Sequence, residues 1–192
     1  MRTGVYTRST NETTVNVALD LDNNTPASKN TDIGFFDHML ELMSFRAGIS
    51  LLAECTGDLH VDGHHTVEDV GIAIGRALEM ALGDKSKIAR YGTAWVPMDE
   101  SLAHCVLDIS GRGMLVYNVN MPSPTVGGFD TALAEEFFRA LAHNAGITLH
   151  INLSYGRNTH HIIEAVFKAV GMALGQAIEK TDAITTSTKG VI

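Results

Sequence analysis

The pentapeptide His64-His65-Thr66-Val67-Glu68 occurs again, 96 residues later, as His160-His161-Ile162-Ile163-Glu164. Each copy opens a long run of Val, Ala, Ile and Leu at helical spacing, so each polar cluster belongs to a first helical turn. In that turn His64 and Glu68 stand at i, i+4 and His65 and Glu68 at i, i+3, so both histidines neighbour one carboxylate. Adjacent helical residues point about 100° apart, because a turn takes ~3.6 residues. One metal ion cannot take both rings while the helix stays regular, so the paired histidines call for two metals. A lone histidine at a helix start is an ordinary cap or surface residue, but matched copies of HHxxE are poorly explained that way. Imidazole and carboxylate without thiolate suit Mn, Fe, Zn or Co and argue against a structural Cys-type zinc site.

The repetition extends beyond the motif. Between residues 64–82 and 160–178, nine of nineteen positions are identical, and Ala47-Gly48-Ile49 matches Ala145-Gly146-Ile147 at an offset of 98. Gly4 matches Gly92, and Glu12-Thr13 matches Glu100-Ser101, at an offset of 88. The chain is an internal duplication. Strands are expected at 3–8, 13–21 and 49–55, with a short one at 58–61, and helices at 33–47 (capped by Asp32, stopped by Gly48) and 64–82. The second half offers strands at 90–98, 101–109, 114–119 and 147–153, and helices at 131–144 and 160–179. Pro122, Pro124 and Gly127-Gly128 mark a loop between them.

Each half is thus a ββαβα unit. The fold class is α+β, with two sheets, each exposed on one face, enclosing a layer of four helices. We place the first repeat at residues 1–88, the second at 89–184 and a Ser/Thr/Lys/Gly tail at 185–192. Gly71, Gly75, Gly171 and Gly175 would let helices approach closely, where an idle helix glycine costs about 1 kcal/mol.

Composition narrows the class. With 192 residues and 45% hydrophobic content the chain can bury a normal core. A net charge of −8 without basic runs argues against nucleic acid as a partner. Cys55 and Cys105 are isolated, no signal-peptide pattern opens the chain, and no apolar run approaches ~18 residues. A cytoplasmic protein without membrane association is expected.

Two HHxxE copies supply six ligands, too few for two octahedral ions. The offset of 98 pairs His38 with Glu136, each beside a phenylalanine pair (Phe35-Phe36, Phe137-Phe138), and adds both to the candidates. His60, His104, His143 and His150 have no histidine at the matching repeat position and are assigned to core or surface.

Several stretches resemble imidazoleglycerol-phosphate dehydratase. They are Phe35-Phe36-Asp37-His38-Met39, the two histidine motifs with their flanks, Pro97-Met98-Asp99-Glu100, Asp108-Ile109-Ser110-Gly111-Arg112 and Ser187-Thr188-Lys189-Gly190-Val191. The resemblance spans essentially the whole chain and corresponds to the monofunctional form. It implies dehydration of D-erythro-imidazole-glycerol phosphate to imidazole-acetol phosphate, a late step of histidine biosynthesis, with two Mn2+ per active site. It also implies a homo-oligomeric 24-mer whose active sites are shared between subunits. The implied metal ligands are His38, His64, His65, Glu68, His160, His161 and Glu164. Glu136 stands where a frequently cited member has His, a place that a carboxylate can fill. Arg90, Arg112, Lys168, Ser187 and Lys189 are the implied phosphate contacts, and the tail is the implied lid over the phosphate. Glu12 is the implied substrate-contacting acid.

The chemistry agrees with this donor set. The carbon-bound proton beside an imidazole is not acidic by itself. Two metals can hold the ring as imidazolate, so that its electrons expel the hydroxyl through a diazafulvene. Glu12, Asp99 and Glu164 are candidates for the proton-moving group, with Glu12 preferred and Glu68, His64 and His160 placed beside the reacting ring. Two rivals deserve comparison. A di-metal hydrolase would use an open, water-bearing position and need no imidazole, and the motif is not the HExxH of zincin proteases. A metal-storage module would leave the Ser-Gly-Arg and Ser-Thr-Lys stretches without a role.

Overall fold

A computed structural model describes residues 1–182 of the chain. The first half contains β1 (Thr3–Ser9), β2 (Thr13–Asp20), β3 (Lys29–Asn30), α1 (Gly34–Ala47), β4 (Ser50–Gly57) and α2 (His64–Leu82). The second contains β5 (Tyr91–Met98), β6 (Ser101–Asp108), β7 (Met114–Asn118), the short β8 (Thr125–Val126) and β9 (Phe129–Asp130), α3 (Leu133–Ala145), β10 (Thr148–Tyr155) and α4 (Thr159–Ala177). Two four-stranded sheets result, with strand orders β1-β2-β4-β3 and β5-β6-β10-β7, so the two halves share one topology.

Register repeats as well. Thr3 faces Asp20 as Tyr91 faces Asp108, and Asp20 faces Ser50 as Asp108 faces Thr148. Alternation explains the burial. Val15, Val17 and Leu19 of β2, and Ala103, Cys105 and Leu107 of β6, turn inward, while the intervening side chains face out. The expected fold class holds: each sheet lays one face on helices and shows the other to solvent.

The helices pair across the repeat boundary. α2 rests on β1 and β2 but also packs along α3, and α4 rests on β5 and β6 while packing along α1. Glycine makes both contacts close. A Cβ on Gly4 would sit 1.9 Å from the Ala77 carbonyl oxygen, and one on Gly92 would sit 1.8 Å from that of Ala173, the matching helix position. Between helices, a Cβ on Gly171 would lie 2.4 Å from the Met43 oxygen, and one on Gly75 2.7 Å from Asn144 Cβ. Phe36 of α1 meets Phe137 of α3 edge-on at 5.2 Å, and Phe137 stacks on Phe167 of α4 at 5.5 Å, which closes the core.

Several expectations are corrected. Residues 58–61 form turns rather than a strand, because the chain there is rising from β4 into α2 and has no free sheet edge beside it. Lys29–Asn30 supplies the missing edge instead, parallel to β4 as β7 is parallel to β10. Two residues of polar sequence carry no alternation to read. The expected Pro/Gly loop contains the β8–β9 hairpin, turned at Gly127 and Gly128, both with positive φ. Asp32 does not cap α1. Its own backbone is left-handed (φ 60°), Ile33 is the N-cap residue, and Asp37 reaches back to accept from the Thr31 N–H (2.9 Å) and hydroxyl (2.6 Å). Gly48 and Gly146 end α1 and α3 in the left-handed conformation as expected. The expected tail at 185–192 lies outside the described residues.

The strand–helix contact gives a stability test. Gly92→Ala forces a methyl into the Ala173 carbonyl and is expected to cost about 1–3 kcal/mol or more. Gly34→Ala, with nothing within 4 Å of the new Cβ, should leave stability unchanged or raised. Thermal melts of both variants check this, and equal melting temperatures would refute the packing argument.

Candidate metal centre

Both HHxxE motifs sit in the first turn of their helices, held there by side chains just upstream. Asn158 caps α4 by accepting from the N–H groups of His160 (2.9 Å) and His161 (3.5 Å). Before α2, Asp62 accepts from the His64 N–H at 2.8 Å. The imidazole planes are nearly perpendicular, 89° for His64 and His65 and 82° for His160 and His161, with centroids 6.2 Å apart in each pair. Neither pair can close on one ion.

The cross-repeat helix pairing brings a third candidate ligand to the second motif. His38 on α1 meets His160 and Glu164 on α4, with one donor atom of each lying within 4.8 Å of the others. An ion bonded at about 2.1 Å needs donors no more than about 4.2 Å apart, so a small contraction admits one. His160 Nε2 lies 3.2 Å from Glu164, and the Phe35 ring abuts His160 edge-on at 5.3 Å. Glu164 is buried, which raises its carboxyl pKa, but Lys168 and His160 beside it more than offset this and lower it.

The first copy is more open. His64 Nε2 stands 3.8 Å from Glu68. Glu136 lines the same 210 Å³ pocket as Glu68, together with Arg139 and His143. Glu136 is thus near Glu68 but is ion-paired with Arg139 at 3.6 Å, and among the described residues only His38, His160 and Glu164 gather as a ligand cluster.

The second histidine of each pair is held by an acid. His65 Nδ1 lies 3.0 Å from Asp58, and His161 Nδ1 lies 2.7 Å from Glu100. These hydrogen bonds raise both imidazole pKa values, aided by the nearby charges of Glu12 and Asp62 in one case and Asp99 and Glu164 in the other. Glu100 is lowered in turn by His161 and by the backbone N–H groups of Asn158 and Arg157.

A profile described as imidazoleglycerol-phosphate dehydratase matches residues 31–174, a span that contains all these groups except Glu12. The chain belongs to the imidazoleglycerol-phosphate dehydratase family. Imidazoleglycerol-phosphate dehydratases of Roseobacter denitrificans and Bacillus cereus are each 53% identical to it, over 196 and 194 residues, with both chains covered completely. Among solved structures, imidazoleglycerol-phosphate dehydratase from Staphylococcus aureus superposes with a TM-score of 0.85 at 46% identity, covering 93% of this chain and 99% of that one. The family member from Pyrococcus furiosus, in complex with (S)-C348, gives the same TM-score at 36% identity over 97% and 100%. The chain is accordingly a hydro-lyase, a dehydratase of histidine biosynthesis.

Within this dehydratase the remaining sequence candidates are placed as follows. Glu12 Oε1 stands 3.8 Å from His65 Nε2, at the first motif. Lys168 is ion-paired with Glu164, and Arg90 is bonded to Asp108 at 2.7 and 3.1 Å. Arg112 is exposed, with Nη1 3.4 Å from the Ser110 carbonyl. Ser187 and Lys189 lie outside the described residues. Of the histidines left aside, His104 stacks on Trp95 at 4.0 Å and His143 Nδ1 bonds the Arg139 carbonyl at 2.8 Å. Asp58, which bonds His65, is not among the sequence candidates. Its only signal was an acid six residues before His64, in a stretch read as strand.

The raised imidazoles set a pH dependence. Folding favours their protonated forms, so the stabilisation they bring is complete below about pH 6.5 and fades as pH rises through the folded-state values. In metal-free protein, 15N spectra of labelled histidine should show His65 and His161 titrating above free histidine. Glu100→Gln should return only His161 toward it, and an unshifted pair would contradict this electrostatic account.

Proposed function

We propose that this enzyme converts D-erythro-imidazole-glycerol phosphate to imidazole-acetol phosphate and water with two Mn2+ per active site. The observation that carries the reading is the right angle between adjacent imidazoles in both copies, which directs each motif toward two ions. His38, His160 and Glu164 serve one ion, and His64, Glu68 and Glu136 serve the other. His65 and His161 complete the coordination from their perpendicular directions, with sites shared between subunits of a 24-mer. The donor set of imidazoles and carboxylates fits Mn2+.

Two Mn2+ ions held by these residues would supply Lewis acidity toward the imidazole of the substrate, the chemistry that loss of its hydroxyl requires. The chain's own residues do the rest. Glu12, exposed and beside His65, moves the carbon-bound proton. Arg90, Arg112 and Lys168, with Ser187 and Lys189 of the tail, hold the phosphate, for which guanidinium geometry is well suited. No helix among the described residues is long and apolar enough to cross a membrane, which accords with a cytoplasmic enzyme.

The test is product formation from imidazole-glycerol phosphate by chelator-treated protein before and after adding Mn2+. Mn2+ should restore turnover. His64→Ala and His160→Ala should each lower it by more than the about 10–100-fold that outer-sphere changes cost. No turnover at saturating Mn2+ would overturn the reading. Assembly is expected to depend on metal too, since shared sites couple binding to association. Light scattering in excess EDTA should show the large particle falling apart, and an unchanged particle would refute that coupling.

A further inference from the structure

The two repeats treat equivalent acids differently. Glu12 and Glu100 occupy matching places in the β1–β2 and β5–β6 turns. Glu100 is tied down: one carboxylate oxygen accepts from the N–H groups of Arg157 (3.1 Å) and Asn158 (2.8 Å), and the other bonds His161 Nδ1. Glu12 makes none of these bonds. It faces the Nε2 side of His65, and it is Asp58 that takes Nδ1, with oxygens at 3.0 and 3.2 Å.

A difference in chain length accounts for the exchange. Six residues join β4 to His64, but only four join β10 to His160. The longer connection of the first repeat carries Asp58. At the strand offset, Gly156 stands there in the second repeat, so the position of Asp58 offers His161 Nδ1 no side chain, and Glu100 bonds it instead.

An ionised carboxylate only accepts hydrogen bonds, so an imidazole bonded through Nδ1 carries its proton there and presents an unprotonated Nε2 when neutral. We infer that Asp58 and Glu100 are positioning residues for the same reaction. Each fixes the Nδ1–H tautomer and ring direction of the second histidine in its motif, leaving Nε2 for a metal ion. The use of Asp58 in this role releases Glu12, the repeat partner of Glu100, to face the substrate. The inference rests on the two-metal reading proposed above.

The experiment is Mn2+ titration of full-length, chelator-stripped protein, following free Mn2+ by electron paramagnetic resonance and heat by calorimetry. Wild type should bind two ions per chain. Asp58→Asn and Glu100→Gln should each weaken binding of part of the Mn2+ about 10–100-fold, and Asp58→Glu should recover part of the loss. Asp62→Asn is the comparator. It removes a charge near His65 without touching its Nδ1 and keeps the bond from the His64 N–H. An equal loss in Asp62→Asn would reduce the effect to general charge and overturn the positioning role. Should Asp58→Asn fail to fold, 15N histidine spectra of wild-type metal-free protein decide directly: an Nε2–H tautomer at His65 or His161 overturns the inference. Wild type that binds no Mn2+ overturns both this and the two-metal reading. Tight binding unchanged in both variants overturns the positioning roles alone.

Discussion

A helix advances about 100° per residue, and that rotation governs this molecule. Two histidines in succession at the start of a helix cannot turn their rings in one direction, so each motif faces two ways at once. The perpendicular rings at His64-His65 and His160-His161 are the direct result. Such an arrangement is useful only if both helices are held rigidly. The backbone-on-backbone contacts at Gly4–Ala77 and Gly92–Ala173 contribute to this by fixing each motif-bearing helix directly against its own sheet at one point.

Duplication supplies the second direction, and divergence adapts it. Cross-repeat pairing of α1 with α4 and of α2 with α3 brings His38 to one motif and Glu136 to the other. The surroundings of the two motifs are therefore related but not identical. One is compact and contains the buried Glu164 paired with Lys168, whereas the other is open around Glu68 and Glu136. Beside them, Glu12 and Glu100 have taken different partners because the connections leading into α2 and α4 differ in length.

How far the sequence could be read depended on whether a signal was local. Alternation in residues 13–21 and helical spacing after both HHxxE copies are periodic over many residues, and those elements form where expected. The two-residue edge strand at Lys29–Asn30 and the β8–β9 hairpin are too short to show a period. Asp32 has the residue type of a cap, but its backbone adopts a left-handed turn that the preceding Thr31–Asp37 bonds accommodate. Asp58 carries no periodic signal, because what sets it apart is a hydrogen bond to His65 on the following helix.

By itself the sequence determined the duplication, the two sheet-forming halves, the placement of both motifs at helix starts, and the pairing of His38 with Glu136 by offset. Each of these is a property of spacing along the chain. The tertiary structure alone decided which helices lie side by side, that His38 stands against the second motif rather than the first, and which acid holds which imidazole. The physical reason is that glycine-lined helix faces allow close approach without naming the partner. Only closure of the common core, through Phe36, Phe137 and Phe167, selects one arrangement.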